Sequence, residues 1–171
     1  YPDKRLDYMI AAADLIHDAL PEFRLVVIGD GPSADLVRAA SLARPWVRWL
    51  GALQGREKAA WFSVAELTIS PGAVGLNVLD AFCSGAPMIT TRDAKHGPEI
   101  AYLQDGVNGL VVRGDASAYA SAVIALVRDR STLQALKQRA RADARRFTLG
   151  EMVERFADGI ARCVTTAKKA R

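Results

Sequence analysis

The sequence is poor in the residues that hold metals or make cross-links. It has two cysteines, Cys83 and Cys163, and two histidines, His17 and His96, in 171 residues. The cysteines lie far apart, neither belongs to a C-x-x-C pair, and the histidines are not grouped with them, so no zinc site is expected. Two lone thiols fit a reducing, cytoplasmic compartment, with buried packing as their ordinary use. Long hydrophobic runs are also missing. The longest uncharged stretches, Leu67–Leu79 and Ala116–Val127, fall short of the roughly 18 residues of a membrane helix, and the first contains Pro71. No secretory or transit peptide is visible in the sequence, nor an internal repeat, low-complexity stretch or D-x-D pair. The chain opens on Tyr1 and runs straight into structured pattern, as expected of a piece of a longer protein.

What is present is an average globular recipe, 50% hydrophobic and 25% charged in 18.5 kDa. That suits one domain able to bury about 70% of its extended surface without disulfide or metal. The net charge of +4 is uneven. Residues 1–130 carry 13 basic and 15 acidic groups, net −2, and residues 131–171 carry 10 and 4, net +6. A basic C-terminal quarter is either a solvated helical face or a contact for an anionic partner, such as a membrane surface or a second domain. Lys137, Arg139, Arg141, Arg145 and Arg146 wrap around their helix rather than forming a stripe, which argues against a nucleic-acid groove binder.

Helical and strand signals alternate. Leu6, Met9, Ile10, Ala13, Ile16 and Leu20 recur at helical spacing up to Pro21. Leu25–Ile28 is a β-branched run suited to a strand covered on both faces. Helices follow at residues 35–43, 56–65, 76–82 (with Gly85 as C-cap) and 98–103, and strands at 46–50, 67–69, 88–91 and 109–112. From Asp115 on, three helices are expected, with Ser131 and Thr148 as N-caps. Repeated strand–helix units imply a Rossmann-like parallel sheet with helices on both faces, right-handed crossovers and extra C-terminal helices. Ligands on such sheets bind at the carboxyl ends of the strands.

Two glycine loops compete for that ligand. Gly29-Asp30-Gly31-Pro32-Ser33-Ala34 fits G-x-G-x-x-G/A between a strand and a helix, the dinucleotide fingerprint in form. However, the window about 20 residues on holds Trp49, Leu50 and Gly51 rather than an acid, and Pro32 offers no N–H. In Ser70-Pro71-Gly72-Ala73-Val74-Gly75-Leu76, glycines let the backbone approach a ligand, and a helix start supplies free N–H groups for an anion. Asp80, about 7.5 Å further along the axis, lies off the apolar face of Leu76, Leu79 and Phe82. A carboxylate there can accept ribose hydroxyls, or simply face solvent.

These pieces, in order and over essentially the whole chain, resemble the C-terminal, donor-binding half of family 4 (group 1) glycosyltransferases of GT-B fold. Asp3-Lys4-Arg5-Leu6-Asp7 resembles the lysine-bearing opening helix, and Leu25 to Pro32 the strand with G-D-G-P. Val47-Arg48-Trp49-Leu50-Gly51 is similar to "v-x-f-L-G". Ser70-Pro71 through Asp80-Ala81-Phe82-Cys83-Ser84-Gly85-Ala86-Pro87 is similar to "P-S…E-G-x-G…E-A-x-x-x-G-x-P-V". Gly97 to Gly109 resembles the family's next block.

The resemblance implies a nucleotide-sugar-binding domain over residues 1–171, with no cofactor and no metal. Lys4 and the Val74, Gly75 and Leu76 backbone would meet the donor diphosphate. Asp80, in the place of the signature's second glutamate, would meet the ribose. Gly29, Asp30, Gly31, Trp49 and Leu50 would lie beside the base, and Gly72, Ala73 and His96 toward the sugar. The donor would be UDP- or GDP-linked, and the acceptor would be held by an N-terminal domain. Two departures stand out. Gly72 replaces the signature's first glutamate, so no catalytic residue is assigned. The family's first strand and its acceptor domain are absent from this sequence, so the chain by itself is expected to be inactive.

Other readings are a nucleotide-sugar epimerase of the same architecture, a degenerate non-catalytic binding module, and an NAD-binding oxidoreductase. His96 is otherwise a structural loop residue. Asp14, His17 and Asp18 are expected to face solvent. Trp46, Trp49 and Trp61 are expected in the core rather than on a base-stacking platform.

Overall fold

The alternation of strand and helix signals is reproduced in the computed structural model, which describes residues 1–169. A 3-10 turn at Pro2–Lys4 leads into α1 (Leu6–Ala19), β1 (Leu25–Val27), α2 (Ala34–Ala43), β2 (Val47–Trp49), α3 (Gly55–Ser63) and β3 (Thr68–Ile69). Then come α4 (Asn77–Ser84), β4 (Met88–Thr91), a 3-10 segment at Pro98–Tyr102, β5 (Gly109–Val112), α5 (Ala116–Arg128), α6 (Arg130–Ala144) and α7 (Leu149–Lys169).

All strand pairs are parallel, but they form two pieces rather than one sheet. β1 pairs with β2, and β3, β4 and β5 pair in that order. The pieces share a core instead of hydrogen bonds. Ile69 of β3 packs against the buried cluster of Met9, Ala13, Leu25 and Val47, so both pieces rest on α1. The doubly covered strand is β4, as its unbroken burial shows. Ile89 joins Ala12, Ile16, Tyr119, Val123, Leu133 and Leu136 beneath α1, α5 and α6. Met88, pointing the other way, joins Val78, Phe82 and Ala140 beneath α4 and α6. Full burial of a side chain of this size contributes about 1.5–3 kcal/mol.

Of the buried side-chain polar atoms among the described residues, His17 Nδ1 lacks a hydrogen-bond partner, while the buried amide of Asn108 is fully engaged. Asn108 is fully buried. Its amide donates to the Tyr102 carbonyl at 3.0 Å and the Asp143 carboxylate at 2.8 Å, and its oxygen accepts from the Gln104 N–H at 2.7 Å. This fixes α6 to the loop before β5.

Three expectations are corrected. Cys83 and Cys163 are both exposed, because Cys83 sits on the outer side of α4 beside the buried Phe82, and Cys163 sits on α7. α6 starts at Arg130, and its cap is Asp129, not Ser131. The Asp129 carboxylate accepts from the Thr132 N–H and from the Ser131 and Thr132 hydroxyls, a stronger acceptor than a serine hydroxyl could be. Thr148 does sit at the start of α7, its hydroxyl accepting from the Glu151 N–H. His17 is not solvent-facing. Its ring stacks on Trp46 at 4.5 Å, while Asp14 forms a two-pronged pair with Arg44 at 2.6 and 2.8 Å.

Candidate functional site

The carboxyl ends of β3 and β4 meet at the loop 70–76, and this loop is tied down residue by residue. The Ser70 N–H reaches the Ile89 carbonyl at 2.9 Å and the Tyr119 hydroxyl at 3.2 Å. The Tyr119 hydroxyl in turn donates to the Ile89 carbonyl at 2.6 Å. Complete burial pushes that hydroxyl well above the ordinary tyrosine range, so it stays a neutral donor. Thr91 donates to the Pro71 carbonyl at 2.6 Å and receives Arg5 Nη1 at 3.1 Å, while Thr90 donates to the Gly72 carbonyl at 3.4 Å. Two successive threonines thus turn a strand end into a cradle for the loop.

The other side of the cradle is the Pro2–Lys4 turn. The Ala73 N–H donates to the Asp3 carbonyl at 2.8 Å, and Lys4 Nζ donates to the Ala73 carbonyl at 2.7 Å. Glycine at position 72 has a steric cause. A Cβ there would stand 2.2 Å from the Asp3 carbonyl oxygen and 2.5 Å from Lys4 Cα. No carboxylate-bearing residue fits without moving that turn. Lys4 Nζ also lies 3.9 Å from where a Cβ on Gly75 would stand, so the ammonium sits at the entrance to α4.

The loop then presents its N–H groups unequally. The Val74 N–H donates to His96 Nδ1 at 3.3 Å, and the Gly75 N–H to Asn77 Oδ1 at 3.2 Å. The first bonds of the helical turn run from Val78 and Leu79 to the Gly75 and Leu76 carbonyls. The Leu76 and Asn77 N–H groups therefore have no acceptor among the described residues and point out of the helix start. Lys4, with a unit charge, and this dipole end converge on one place, an arrangement that attracts a phosphate.

One turn on, Asp80 is half-exposed. Its Oδ2 takes the Lys58 ammonium of α3 at 2.9 Å, with 38% and 33% of the two side chains accessible, so the pair orients Asp80 more than it stabilises the fold. Asp80 Oδ1 has no partner among the described residues and remains an acceptor.

The Gly29–Ala34 loop is arranged differently. Gly29 and Gly31 have φ of 142° and 146°, backbone that suits glycine. The Gly29 N–H is taken by the Gly51 carbonyl at 2.8 Å and the Gly31 N–H by the Asp30 carboxylate at 2.7 Å. With Pro32 lacking an N–H, this loop has few amides left for a pyrophosphate. Trp49 donates its indole N–H to the Gly29 carbonyl at 2.9 Å, and Leu50 bonds back to Val27 at 3.0 Å, which fixes this end of β1 and β2. The tryptophans are half-buried rather than deep core. Arg38 lies 5.1 Å over Trp49 and Arg48 5.3 Å over Trp61, so each of these rings carries a guanidinium from the element just before its own in the chain.

Lys4, Ala73, Gly75, Leu76 and Asp80 are brought together. His96 lies behind the loop, with Nε2 on the Thr91 carbonyl at 2.7 Å. Gly29, Asp30, Gly31, Trp49 and Leu50 gather at the β1–β2 ends. Sequence reasoning missed Lys58, Thr90, Thr91 and Tyr119. The only signal for the threonines was a polar pair closing an apolar strand. Beside the Asp3 turn lies an open depression of about 300 Å³ lined by Asp3, Arg5, Asp93, Ala94 and Lys95. Among the described residues no helix is long and apolar enough to cross a membrane, and no His, Cys, Asp and Glu cluster could hold a metal ion.

The chain resembles known proteins in sequence and in fold. Residues 1–129 match the family model described as glycosyl transferases group 1. The chain is 29% identical over 136 residues to sulfoquinovosyl transferase SQD2 of Arabidopsis thaliana, covering 77% of this chain and 26% of that protein. It is 29% identical over 163 residues to the glycosyltransferase EpsD of Bacillus subtilis, covering 91% and 42%. It thus spans less than half of either relative. Among solved structures, the pneumococcal O-GlcNAc transferase GtfA in complex with UDP and GlcNAc superposes with a TM-score of 0.80 at 22% identity, over 96% of this chain and 34% of that one. Anabaena HepE in complex with UDP and glucose gives 0.76 at 18%, over 95% and 46%. The fold is that of the GT-B glycosyltransferases, and the chain belongs to the group 1 glycosyl transferases.

Proposed function

We propose that this domain binds a UDP- or GDP-linked sugar and supports transfer of that sugar to an acceptor held by a separate N-terminal domain. The observation that carries the reading is the convergence of Lys4 and the free Leu76 and Asn77 N–H groups at the start of α4, with Asp80 one turn on. The diphosphate sits on the helix start, its charge met by the dipole and the Lys4 ammonium. Asp80 accepts the ribose hydroxyls, and the base lies toward Gly29–Gly31 and Trp49–Leu50. As the sugar leaves, negative charge grows on the diphosphate. The same fixed groups then stabilise the transition state more than the ground state. The residues before Lys4 that the family uses, a strand and an arginine, lie outside the sequence. With Gly72 offering no carboxylate toward the sugar, the chain by itself binds donor without turning it over. Peripheral contact with an anionic membrane surface through residues 131–171 is part of the same proposal, and vesicle co-sedimentation tests it.

The test is a calorimetric titration of the chain with UDP, GDP, ADP and NAD, repeated on Asp80→Ala. One nucleoside diphosphate is expected to bind selectively, and the substitution to weaken it about tenfold or more. NAD binding that ignores Asp80 would move the site to Gly29–Ala34 and overturn the reading. Multiple-turnover transfer by the 171-residue chain would overturn the division of labour with an acceptor domain.

A further inference from the structure

We infer that His96 is a positioning residue for the donor diphosphate, acting through the Val74 amide. It stands on the loop between β4 and the Pro98–Tyr102 segment, held there by its own N–H on the Ala94 carbonyl at 3.0 Å. Its ring joins two chain segments. Nδ1 accepts from the Val74 N–H at 3.3 Å, and Nε2 faces the Thr91 carbonyl at 2.7 Å. A carbonyl can only accept and an N–H can only donate, so the ring is neutral, with its proton on Nε2. Thr91 thereby fixes the tautomer, and the tautomer fixes Val74.

Val74 matters because it leads directly into the start of α4. Val74 is 2% exposed and packs in one cluster with Val78 and Phe82, so its side chain is anchored while its peptide plane can still turn. Its N–H is turned inward to His96, and two residues later the Leu76 and Asn77 N–H groups face outward. Without an acceptor behind the loop, the Val74 amide would be a buried donor lacking a partner. The loop would then gain by rotating that peptide toward solvent or toward any phosphate present. The imidazole removes that option and leaves the phosphate to the helix start. It contributes no contact to the ligand itself. This rests on the donor-site reading above and deepens it.

The test separates the two ring contacts. In His96→Asn the side-chain oxygen stands close to the place of Nδ1 and retains the Val74 bond. In His96→Gln the longer amide retains a donor for Thr91 and loses the Val74 acceptor. Each is titrated with the nucleoside diphosphate that the unaltered chain binds best, and its unfolding midpoint is measured. The expected result is affinity within about twofold for His96→Asn and a loss of about three- to tenfold for His96→Gln, at similar unfolding midpoints. In the unaltered chain, a scalar coupling across the hydrogen bond between the Val74 and His96 Nδ1 nitrogens is expected by NMR, independent of ligand. Equal affinities for the two variants, or no coupling, would overturn the inference while leaving the donor site intact. If the unaltered chain binds no nucleoside diphosphate, the donor-site reading and this inference fall together, whatever the coupling.

Discussion

Substituting Gly72 by alanine is expected to destabilise the chain and to unseat Lys4. The added carbon would stand 2.2 Å from the Asp3 carbonyl oxygen, 2.4 Å from the Lys4 carbonyl carbon and 2.5 Å from Lys4 Cα. All three are main-chain atoms of a turn closed by bonds from Lys4 to Tyr1 and from Arg5 to Pro2. A flexible side chain could step aside, but this turn must move as a body by about 1 Å to restore ordinary contact distances. Moving it strains the Ala73 N–H bond to Asp3 and the Lys4 Nζ bond to Ala73. Overpacking of this kind costs about 1–3 kcal/mol, and each lost hydrogen bond adds about 0.5–1.5 kcal/mol. The stiffer unfolded chain offsets about 0.4–1 kcal/mol. The net loss is about 1–5 kcal/mol, read as a lowered midpoint at unchanged slope in urea unfolding monitored by circular dichroism. Diphosphate affinity should fall as well, because Lys4 leaves the start of α4. If the alanine variant lies within about 0.5 kcal/mol of the parent, the packing of Gly72 on the Asp3–Lys4 turn is refuted. Glutamate at this position is consequently not a neutral restoration of the family signature, and a null result from it would say nothing about catalysis.

Tyr119→Phe removes the hydroxyl that donates to the Ile89 carbonyl and accepts from Ser70. A loss of about 1–2 kcal/mol is expected in urea unfolding, with weaker diphosphate binding because the loop starts at Ser70. Asn108→Ala removes the donor to Asp143 Oδ2 and leaves that carboxylate, 9% exposed, with Arg146 on Oδ1 beside an emptied site. A loss of about 2–4 kcal/mol in thermal unfolding is expected, and an unchanged midpoint would show that water replaces the amide. Asp129 is held down to about 2 from the ordinary 3.8, chiefly by the Thr132 hydroxyl and N–H and then by the Ser131 hydroxyl. Its folded value lies below its unfolded one, so its contribution is present above about pH 4 and disappears as pH falls toward 2. Asp129→Ala should lower stability at neutral pH and flatten the acid limb in that window, and parallel acid limbs would contradict the cap. The Glu66 carboxylate is lowered chiefly by the Lys137 hydrogen bond and then by Arg130. Lys137→Met should raise its titration midpoint by NMR, and no change would show the pair to be open in solution.

The long apolar patterns were legible in the sequence. Leu25–Val27 and Met88–Thr91 are strands where β-branched runs occur, and α1, α5 and α6 follow their 3.6-residue stripes, because burial on a fixed face is a repeated signal. The glycine loop was legible as a place of close approach. The crowding that enforces glycine at 72 was not, because it comes from a turn 69 residues away in the chain. Lys58 carries no motif, and its meeting with Asp80 depends on how α3 lies on α4. The exposure of Cys83 was misjudged because a small apolar residue next to Phe82 reads as core by type, while one step of 100° on a helix takes it outside. The capping of α6 turned on competition among three adjacent polar residues, where charge decided for Asp129.

The division of the strands into two pieces sets the order in which the molecule opens. β1 and β2 are three residues each and form an isolated pair, a ribbon that is marginal without support from α1. β4 is covered on both faces and clamped by Tyr119. Amide exchange should therefore proceed through a shallow unit at the β1–β2 end before it reaches the deep unit around β4. The two ends of the candidate cleft then differ in kind. The end built by the 70–76 loop is a preformed mould, while the β1–β2 end opens more readily despite its Trp49 and Leu50 bonds, and under the proposed function a bound nucleotide would show itself first as slowed exchange in β1 and β2.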